Sequence, residues 1–204
     1  MKLGIFGGTF DPPHLAHLIL AEESLYQLNL DRILWLLTPE SPLKPDMAIS
    51  SWEQRLELLE AALEDNPKFD VSRVDIDRPG PYYAHESMKI LVEFHEGDQL
   101  IYLMGGDSLG DLPKWERPDE FVKNCHQIGV MQRPRTDINL EYLEHTIPGI
   151  HSKLIWVESP LMEISGRMIR ERLKIGEPVR YFLPNAVYEI IIEKDFYNSK
   201  NQGK

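Results

Sequence analysis

The sequence predicts an α/β domain in which one doubly wound parallel sheet carries helices on both faces. Short apolar runs alternate along the chain with longer stretches whose apolar residues recur at helical spacing. Turns rich in glycine, aspartate and proline follow several of these runs, as loops do at the ends of buried strands. The 204 residues, 42% of them apolar, suffice for one core but not for two large ones. We therefore expect a single domain over residues 1–197 and a polar tail over 198–204.

The first half of the chain predicts three strands and three helices. Strands are expected at residues 2–6 and 32–37, which are compact and mostly apolar, and at residues 69–76. The first helix, 14–28, has an apolar stripe at helical spacing. The second, 51–63, begins with Ser51 and Gln54, a spacing typical of a capping box. The third helix spans 84–94.

The second half continues the same alternation. Strands are expected at 99–104, 127–131 and 154–157, with a short helix at 118–124 and two closing helices at 165–174 and 185–196. This order favours a Rossmann-like sheet, which binds ligands beyond the carboxyl ends of its strands, where the strand order reverses. The turns that should converge there follow Phe6, Leu37, Ile76 and Met104.

Composition and charge exclude several classes of function. The formal net charge of −11 opposes broad binding to nucleic acid or to an anionic membrane, and no apolar run approaches the length of a membrane span. Asp11 and two prolines interrupt the N-terminal run before it could form a signal peptide. The single cysteine, Cys125, excludes an internal disulfide framework, and it, His126 and His151 lack partners at metal-ligand spacing. We expect a cytoplasmic protein without a metal site of its own.

The segment 7–17, GGTFDPPHLAH, carries the strongest functional signal. Gly7 and Gly8 predict a turn in which the backbone approaches a ligand closely, and Thr9 and the amides after it can donate to phosphate oxygens. His14 and His17 are three residues apart and should share one face of the first helical turns, where imidazoles can stabilise a transferring phosphoryl group. A plain turn before a helix with two incidental histidines is the alternative.

This segment resembles the GGxFDPxHxGH signature of nucleotidyltransferases with the HIGH-type fold, and most closely that of the nicotinate-nucleotide adenylyltransferases. Ala16 stands where the pattern has glycine. Residues 164–170, ISGRMIR, resemble the family's ISSTxIR, with Gly166 and Arg167 as departures. Residues 104–115 resemble its GADxLxxLxxW segment.

The resemblance implies which residues serve the nucleotide. It identifies His14, His17, Arg170 and Lys44 as catalytic. The residues expected to bind ATP are Gly7, Gly8, Thr9, Phe10, His17, Gly105, Asp107, Ser165, Ile169 and Arg170. The planar fork of Arg170 suits triphosphate oxygens, although Ser165 and Arg170 could equally be a helix cap and a surface arginine. Lys44 stands where the family has PHK, with Leu43 in place of histidine; a solvated loop lysine is the alternative.

A second group of residues is expected to bind the acceptor. These are Tyr83, Ala84, Trp115 and Lys44, in which the two aromatic rings would flank a flat heterocycle. Residues 78–87 resemble the family's RxGPSYTxDT and keep Gly80, Pro81 and Tyr83. The departures from it are Tyr82, Ala84, Glu86 and Ser87. His85 lies close to this group and is expected to be a helix-start residue.

The resemblance implies an enzyme that transfers the adenylyl group of ATP to nicotinic acid mononucleotide in NAD biosynthesis. Mg²⁺ would be carried by ATP and pyrophosphate rather than by a protein site, and a homo-oligomer is possible. Related enzymes that use nicotinamide mononucleotide, phosphopantetheine or glycerol phosphate are alternatives, as is a non-catalytic nucleotide sensor. A dinucleotide-binding oxidoreductase and a P-loop enzyme lose their main support because the chain has neither GxGxxG nor GxxxxGK[ST].

Overall fold

The structure, a computed structural model, describes residues 1–40, 42, 50–131, 138–160 and 162–197. Within these ranges six strands form one sheet, in the order β3-β2-β1-β4-β5-β6, and every neighbouring pair is parallel. The strands are β1 (Lys2–Gly8), β2 (Arg32–Leu37), β3 (Phe69–Ser72), β4 (Gln99–Gly105), β5 (Gln127–Met131) and β6 (Leu154–Val157). The predicted doubly wound Rossmann-like sheet is confirmed.

Helices cover both faces of the sheet, as predicted. They are α1 (Leu15–Gln27), α2 (Trp52–Leu63), α3 (Ala84–Phe94), α4 (Gly106–Asp111), α5 (Pro118–Asn124), α6 (Leu140–Thr146), α7 (Gly166–Ile175) and α8 (Asn185–Glu193). Alternate residues of β4 show the division: Tyr102 packs in the cluster that includes α3 and α5, whereas Leu103 packs in the cluster that includes α1 and α2. None of the helices described is long and apolar enough to cross a membrane.

The strand order reverses between β1 and β4. From β1 the chain moves outward through β2 to β3, and it then returns to β4 on the other side of β1. A crevice forms at such a reversal because the loops at the two carboxyl ends lead away from each other. Gly8 and Gly105 end the two strands, so the segments that follow them form the walls of this crevice.

A third apolar cluster joins the end of the chain to the rest of the domain. Leu58 of α2 packs with Ile169 of α7 and with Val187 and Ile191 of α8. Tyr197, beyond α8, belongs to the same cluster. The C-terminal helices are therefore fixed against the helix that follows β2.

Several predicted boundaries shift. Gly7 and Gly8 are not a turn: they are the last residues of β1 and pair with the end of β2. The strand predicted to reach Ile76 stops at Ser72, because residues 74–77 form a turn closed by a hydrogen bond from the Asp77 amide to the Arg73 carbonyl. Helix α8 ends at Glu193 rather than at residue 196, and α4 and α6 were not predicted. The predicted tail, 198–204, lies outside the described residues.

Candidate active site

The first wall of the crevice is the loop between β1 and α1. The Gly8 carbonyl still accepts the Thr38 amide at 2.9 Å, so the loop begins only at Thr9. A Cβ atom on Gly7 would collide with the hydroxyl of Tyr102 from the neighbouring strand β4, and this explains the need for glycine there. The loop therefore starts from a strand that is paired with a neighbouring strand on each side.

The buried side chain of Phe10 anchors this loop in the core. Its φ of 46° lies in the left-handed region, which costs a residue other than glycine about 1–3 kcal/mol. The ring is only 2% exposed and packs against Trp35 at 5.2 Å and His17 at 5.2 Å between ring centroids. Packing thus offsets the backbone strain, and Phe10 serves the loop as a support whose ring is buried.

The two histidines lie together at the start of α1. Their rings stack with centroids 3.7 Å apart and planes inclined by 18°. The backbone N–H of His14, the N-cap residue, donates to Nδ1 of His17 at 3.3 Å. Because Nδ1 accepts, a neutral His17 ring carries its proton on Nε2 and is a donor there. His14 is buried and His17 partly exposed, so His17 is the one that presents its ring to solvent.

Arg170 reaches the same loop from α7. Its Nη1 donates to the Asp11 carbonyl at 2.5 Å and lies 3.4 Å from Oδ2 of the Asp11 carboxylate. Ser165 caps α7, because its hydroxyl accepts a hydrogen bond from the Met168 amide. This is the structural role that the sequence offered as the alternative to ATP binding. Gly166 lies against the loop, and a Cβ there would stand 2.5 Å from the Asp11 carbonyl oxygen. Glycine at residue 166, where the family pattern has serine, therefore allows α7 to approach the loop closely.

Arg55, which sequence reasoning missed, holds the base of the loop. It is 1% exposed and donates to four backbone carbonyls. The acceptors are Thr9 at 2.7 Å, Thr38 at 2.9 Å, Pro39 at 2.5 Å and Ser50 at 2.9 Å. Burial lowers the pKa of this guanidinium, and the charge of Asp11 opposes the shift. A signal existed, since Arg55 falls in the apolar stripe of α2 with Leu58 and Leu59.

The second wall of the crevice begins at the end of β4. Gly105 is the N-cap of the short helix α4, so the segment predicted as a turn is a helix start. Asp107 is exposed in the first turn of α4. Ile169, by contrast, is fully buried in the third cluster, so its side chain packs in the core.

The predicted acceptor residues lie at the start of α3. Tyr83 is the N-cap residue and Ala84 the first helical residue, and both are partly exposed. The ring of Tyr83 stacks on that of His85, with centroids 5.7 Å apart. His85 is 6% exposed, and its buried Nδ1 has no hydrogen-bond partner among the residues that the structure describes. Such a nitrogen marks a position where a ligand or a water molecule is expected.

An ion-pair network around Arg78 fixes the approach to α3. Arg78 donates twice to Asp75 Oδ1, at 2.9 and 3.1 Å, and also to Glu86 at 3.0 Å and to Ser87 at 3.1 Å. Burial raises the pKa of Asp75, although Ser87 and Arg78 oppose the shift. Glu86 is thus paired with Arg78, and this ion pair holds the Glu86 carboxylate at the side of α3.

Trp115 follows α4 and packs against β4. Its ring contacts Phe121 at 5.1 Å and Tyr102 at 6.3 Å between centroids. Within the described part of the chain, its buried Nε1 has no hydrogen-bond partner. Because the Tyr102 hydroxyl lies beside Gly7, Trp115 is linked through one ring to the strand that carries the first loop.

Cys125 is buried, and its thiol donates to the Phe121 carbonyl, so Cys125 has a structural position.

The structure thus brings together His14, His17, Asp11 and Arg170 around one loop. Lys44, predicted for both sites, lies outside the described residues. Among the residues described, no group of three or more His, Cys, Asp and Glu side chains is arranged to hold a metal ion. The arrangement offers imidazole, guanidinium and helix N-terminal donors, which together suit a phosphorylated ligand.

Comparison with known proteins agrees with this geometry. A family model described as cytidylyltransferase-like matches residues 5–172. The probable nicotinate-nucleotide adenylyltransferase of Thermomicrobium roseum is 38% identical over 198 residues, which are 97% of this chain and 92% of that protein. The nicotinate-nucleotide adenylyltransferase of Bacillus subtilis strain 168 is 36% identical over 97% of this chain and 99% of its own.

A solved structure shows the same fold. Plasmodium falciparum nicotinic acid mononucleotide adenylyltransferase complexed with NaAD superposes with a TM-score of 0.76 at 17% identity, covering 96% of this chain and 97% of that one. The family match over most of the chain, and full-length relatives more than a third identical, show the relationship independently of the fold. The chain belongs to the cytidylyltransferase-like family and, within it, to the nicotinate-nucleotide adenylyltransferases.

Proposed function

We propose that this chain transfers the adenylyl group of ATP to nicotinic acid mononucleotide, which yields nicotinic acid adenine dinucleotide and pyrophosphate. The observation that carries the proposal is the stacked pair His14 and His17 at the N-terminus of α1, after the loop that follows β1. The names of its relatives support this choice of substrates. The cytoplasm remains our proposal for the compartment, and a homo-oligomer for the assembly.

The reaction needs no protein nucleophile. The mononucleotide phosphate is already anionic, and it would attack the α-phosphorus of ATP in line while pyrophosphate leaves. The protein's part is to position the two phosphates and to neutralise charge. His17 Nε2 would donate to the transferring phosphoryl group, the N-terminus of α1 would add its dipole, and Arg170 would bind the triphosphate.

Mg²⁺ would accompany the triphosphate and leave with pyrophosphate. It would neutralise charge on oxygens of the nucleotide, which is its usual place in such sites. The donors gathered around the loop are imidazoles, a guanidinium and amides, so they suit the phosphate oxygens rather than the cation.

The acceptor would bind at the start of α3. The amides of Glu86 and Ser87 donate to the Tyr83 carbonyl, whereas those of Ala84 and His85 come first in the helix and have no intrahelical acceptor. A ring carboxylate placed there gains about 0.3–2 kcal/mol from the helix end. A carboxamide would turn its NH₂ toward donors, and such buried mispairing costs about 1–3 kcal/mol. We therefore propose a preference for the acid.

The test is a product assay on the purified chain. It is incubated with ATP, Mg²⁺ and nicotinic acid mononucleotide, and both pyrophosphate and the dinucleotide are measured. We expect the two products in equal amounts, and neither when the mononucleotide is left out. Pyrophosphate without dinucleotide, or no turnover by a chain that binds ATP, would refute the proposal.

A further inference from the structure

The last described residue of the chain reaches the first loop. The Tyr197 hydroxyl donates to Oδ1 of Asp11 at 2.9 Å, although the two are 186 positions apart in the chain. Tyr197 is 9% exposed and Asp11 4% exposed, so this hydrogen bond is shielded from water. The Tyr197 ring packs in the cluster of α2, α7 and α8, which holds the hydroxyl in place.

The two oxygens of the Asp11 carboxylate have different partners. Oδ1 accepts from Tyr197, whereas Oδ2 accepts the Ser50 amide at 3.2 Å and lies 3.4 Å from Arg170 Nη1. A direct charge-assisted hydrogen bond would measure about 2.7–2.9 Å. Arg170 therefore rests on the Asp11 carbonyl, at 2.5 Å, and is not paired in bidentate fashion with the carboxylate.

This arrangement leaves part of the Arg170 fork for a ligand. Within the described ranges, the hydrogen bond and the ion pair of Arg170 both use Nη1, and no hydrogen bond or ion pair engages Nε or Nη2. If Oδ1 lost its donor, the carboxylate could rotate and form a two-point pair with the guanidinium. Asp11 would then compete with an incoming triphosphate for the same donors.

We propose that Tyr197 is a positioning residue of the nucleotide site: its hydroxyl holds Oδ1 of Asp11 back from a two-point pair with Arg170, so that Arg170 keeps donors for the triphosphate. This inference rests on the proposed function, in which Arg170 binds ATP. Burial, together with the nearby Asp11 charge, raises the pKa of the Tyr197 hydroxyl, which therefore stays a donor throughout the pH range of an assay.

The experiment compares Tyr197→Phe with Tyr181→Phe, a matched control whose tyrosine is 87% exposed. Titration with ATP and Mg²⁺, without mononucleotide, reports binding to each folded variant. We expect Tyr197→Phe to weaken ATP binding by about tenfold, the effect of one hydrogen bond to a charged group. Tyr181→Phe should stay within about twofold of the unaltered chain, since a solvent-exposed hydroxyl contributes little.

A double-mutant cycle with Arg170→Lys tests whether Tyr197 acts through Arg170. On the Arg170→Lys background, Tyr197→Phe should change ATP affinity by less than about twofold, because the fork it protects is gone. Effects that multiply in full, an unchanged ATP affinity in Tyr197→Phe, or a Tyr197→Phe chain that does not fold would each overturn the proposal. Because ATP binding is measured without turnover, a failure of the proposed reaction remains distinguishable from a failure of this inference.

Discussion

His17 has two nitrogens with different tasks in this structure, and two substitutions can separate them. Nδ1 accepts the His14 amide at 3.3 Å, which stabilises the start of α1, while Nε2 is the donor proposed to meet the phosphoryl group. Asparagine can keep an acceptor near the position of Nδ1 but does not reach Nε2. Glutamine can place an amide N–H near Nε2 but leaves the His14 amide without its acceptor. The two variants should therefore fail in opposite ways.

The magnitudes follow from the two contacts. Loss of one preorganised donor to the transition state costs about 3–4 kcal/mol, so His17→Asn should lower kcat by about a hundred- to a thousandfold. Its free energy of unfolding should fall only through the lost ring contacts with Phe10 and His14, which His17→Gln loses as well. His17→Gln should lose about 0.5–1.5 kcal/mol of stability through the missing hydrogen bond, and its kcat should fall by no more than about tenfold.

Steady-state kinetics at saturating substrates, together with urea unfolding of both variants, make the comparison. Equal losses of kcat in His17→Asn and His17→Gln would refute the assignment of Nε2 as the catalytic donor. A His17→Asn enzyme with near-normal kcat would remove His17 from the chemistry altogether. His14→Ala is less informative because His14 is buried and lies at the N-cap, so stability and turnover should fall together.

Three further substitutions test the surroundings of the loop. Arg170→Lys keeps the charge but loses the fork, so KM for ATP should rise more than KM for the mononucleotide; equal rises would contradict the assignment. Gly166→Ala places a Cβ 2.5 Å from the Asp11 carbonyl oxygen and should cost about 1–3 kcal/mol in urea unfolding. Gly110→Ala, with open space around its Cβ, is the control and should be neutral or stabilising, and equal effects would contradict the proposed clash. Arg55→Lys leaves at least one of four buried carbonyls unpaired, so it should lower the free energy of unfolding by about 1–3 kcal/mol and reduce kcat; normal kcat would show that the loop does not depend on Arg55.

Local patterns predicted most of the fold. The bounds of β2, α3, α5, β5 and β6 coincide with those expected, since apolar periodicity and flanking turn residues act over a few positions. The predicted end of β3 was wrong because residues 69–76 resemble a strand in composition, whereas residues 74–77 form a turn in which Asp75 is buried through its contacts with Arg78 and Ser87. Helix α6 was missed although Asn139, its N-cap, accepts the Tyr142 amide.

Long-range contacts account for what the sequence did not reveal about the site. The spacing of His14 and His17 predicted a shared helix face; the rings do stack, but His14 is the extended N-cap residue before α1 and not part of the helix. Arg55, by contrast, binds carbonyls of two loops, and Tyr197 binds Asp11 across nearly the whole chain. Neither partner can be inferred from neighbouring residues. The functional roles assigned to these side chains stay predictions.

Competition between the two mononucleotides tests the central claim most directly. Nicotinic acid mononucleotide and nicotinamide mononucleotide are supplied together at equal concentration with saturating ATP and Mg²⁺, and the two dinucleotides are separated and quantified. The ratio of products gives the ratio of kcat/KM for the two acceptors. The donors at the start of α3 predict an excess of the acid dinucleotide of about ten- to a thousandfold. Equal amounts, or an excess of the amide dinucleotide, would contradict the account.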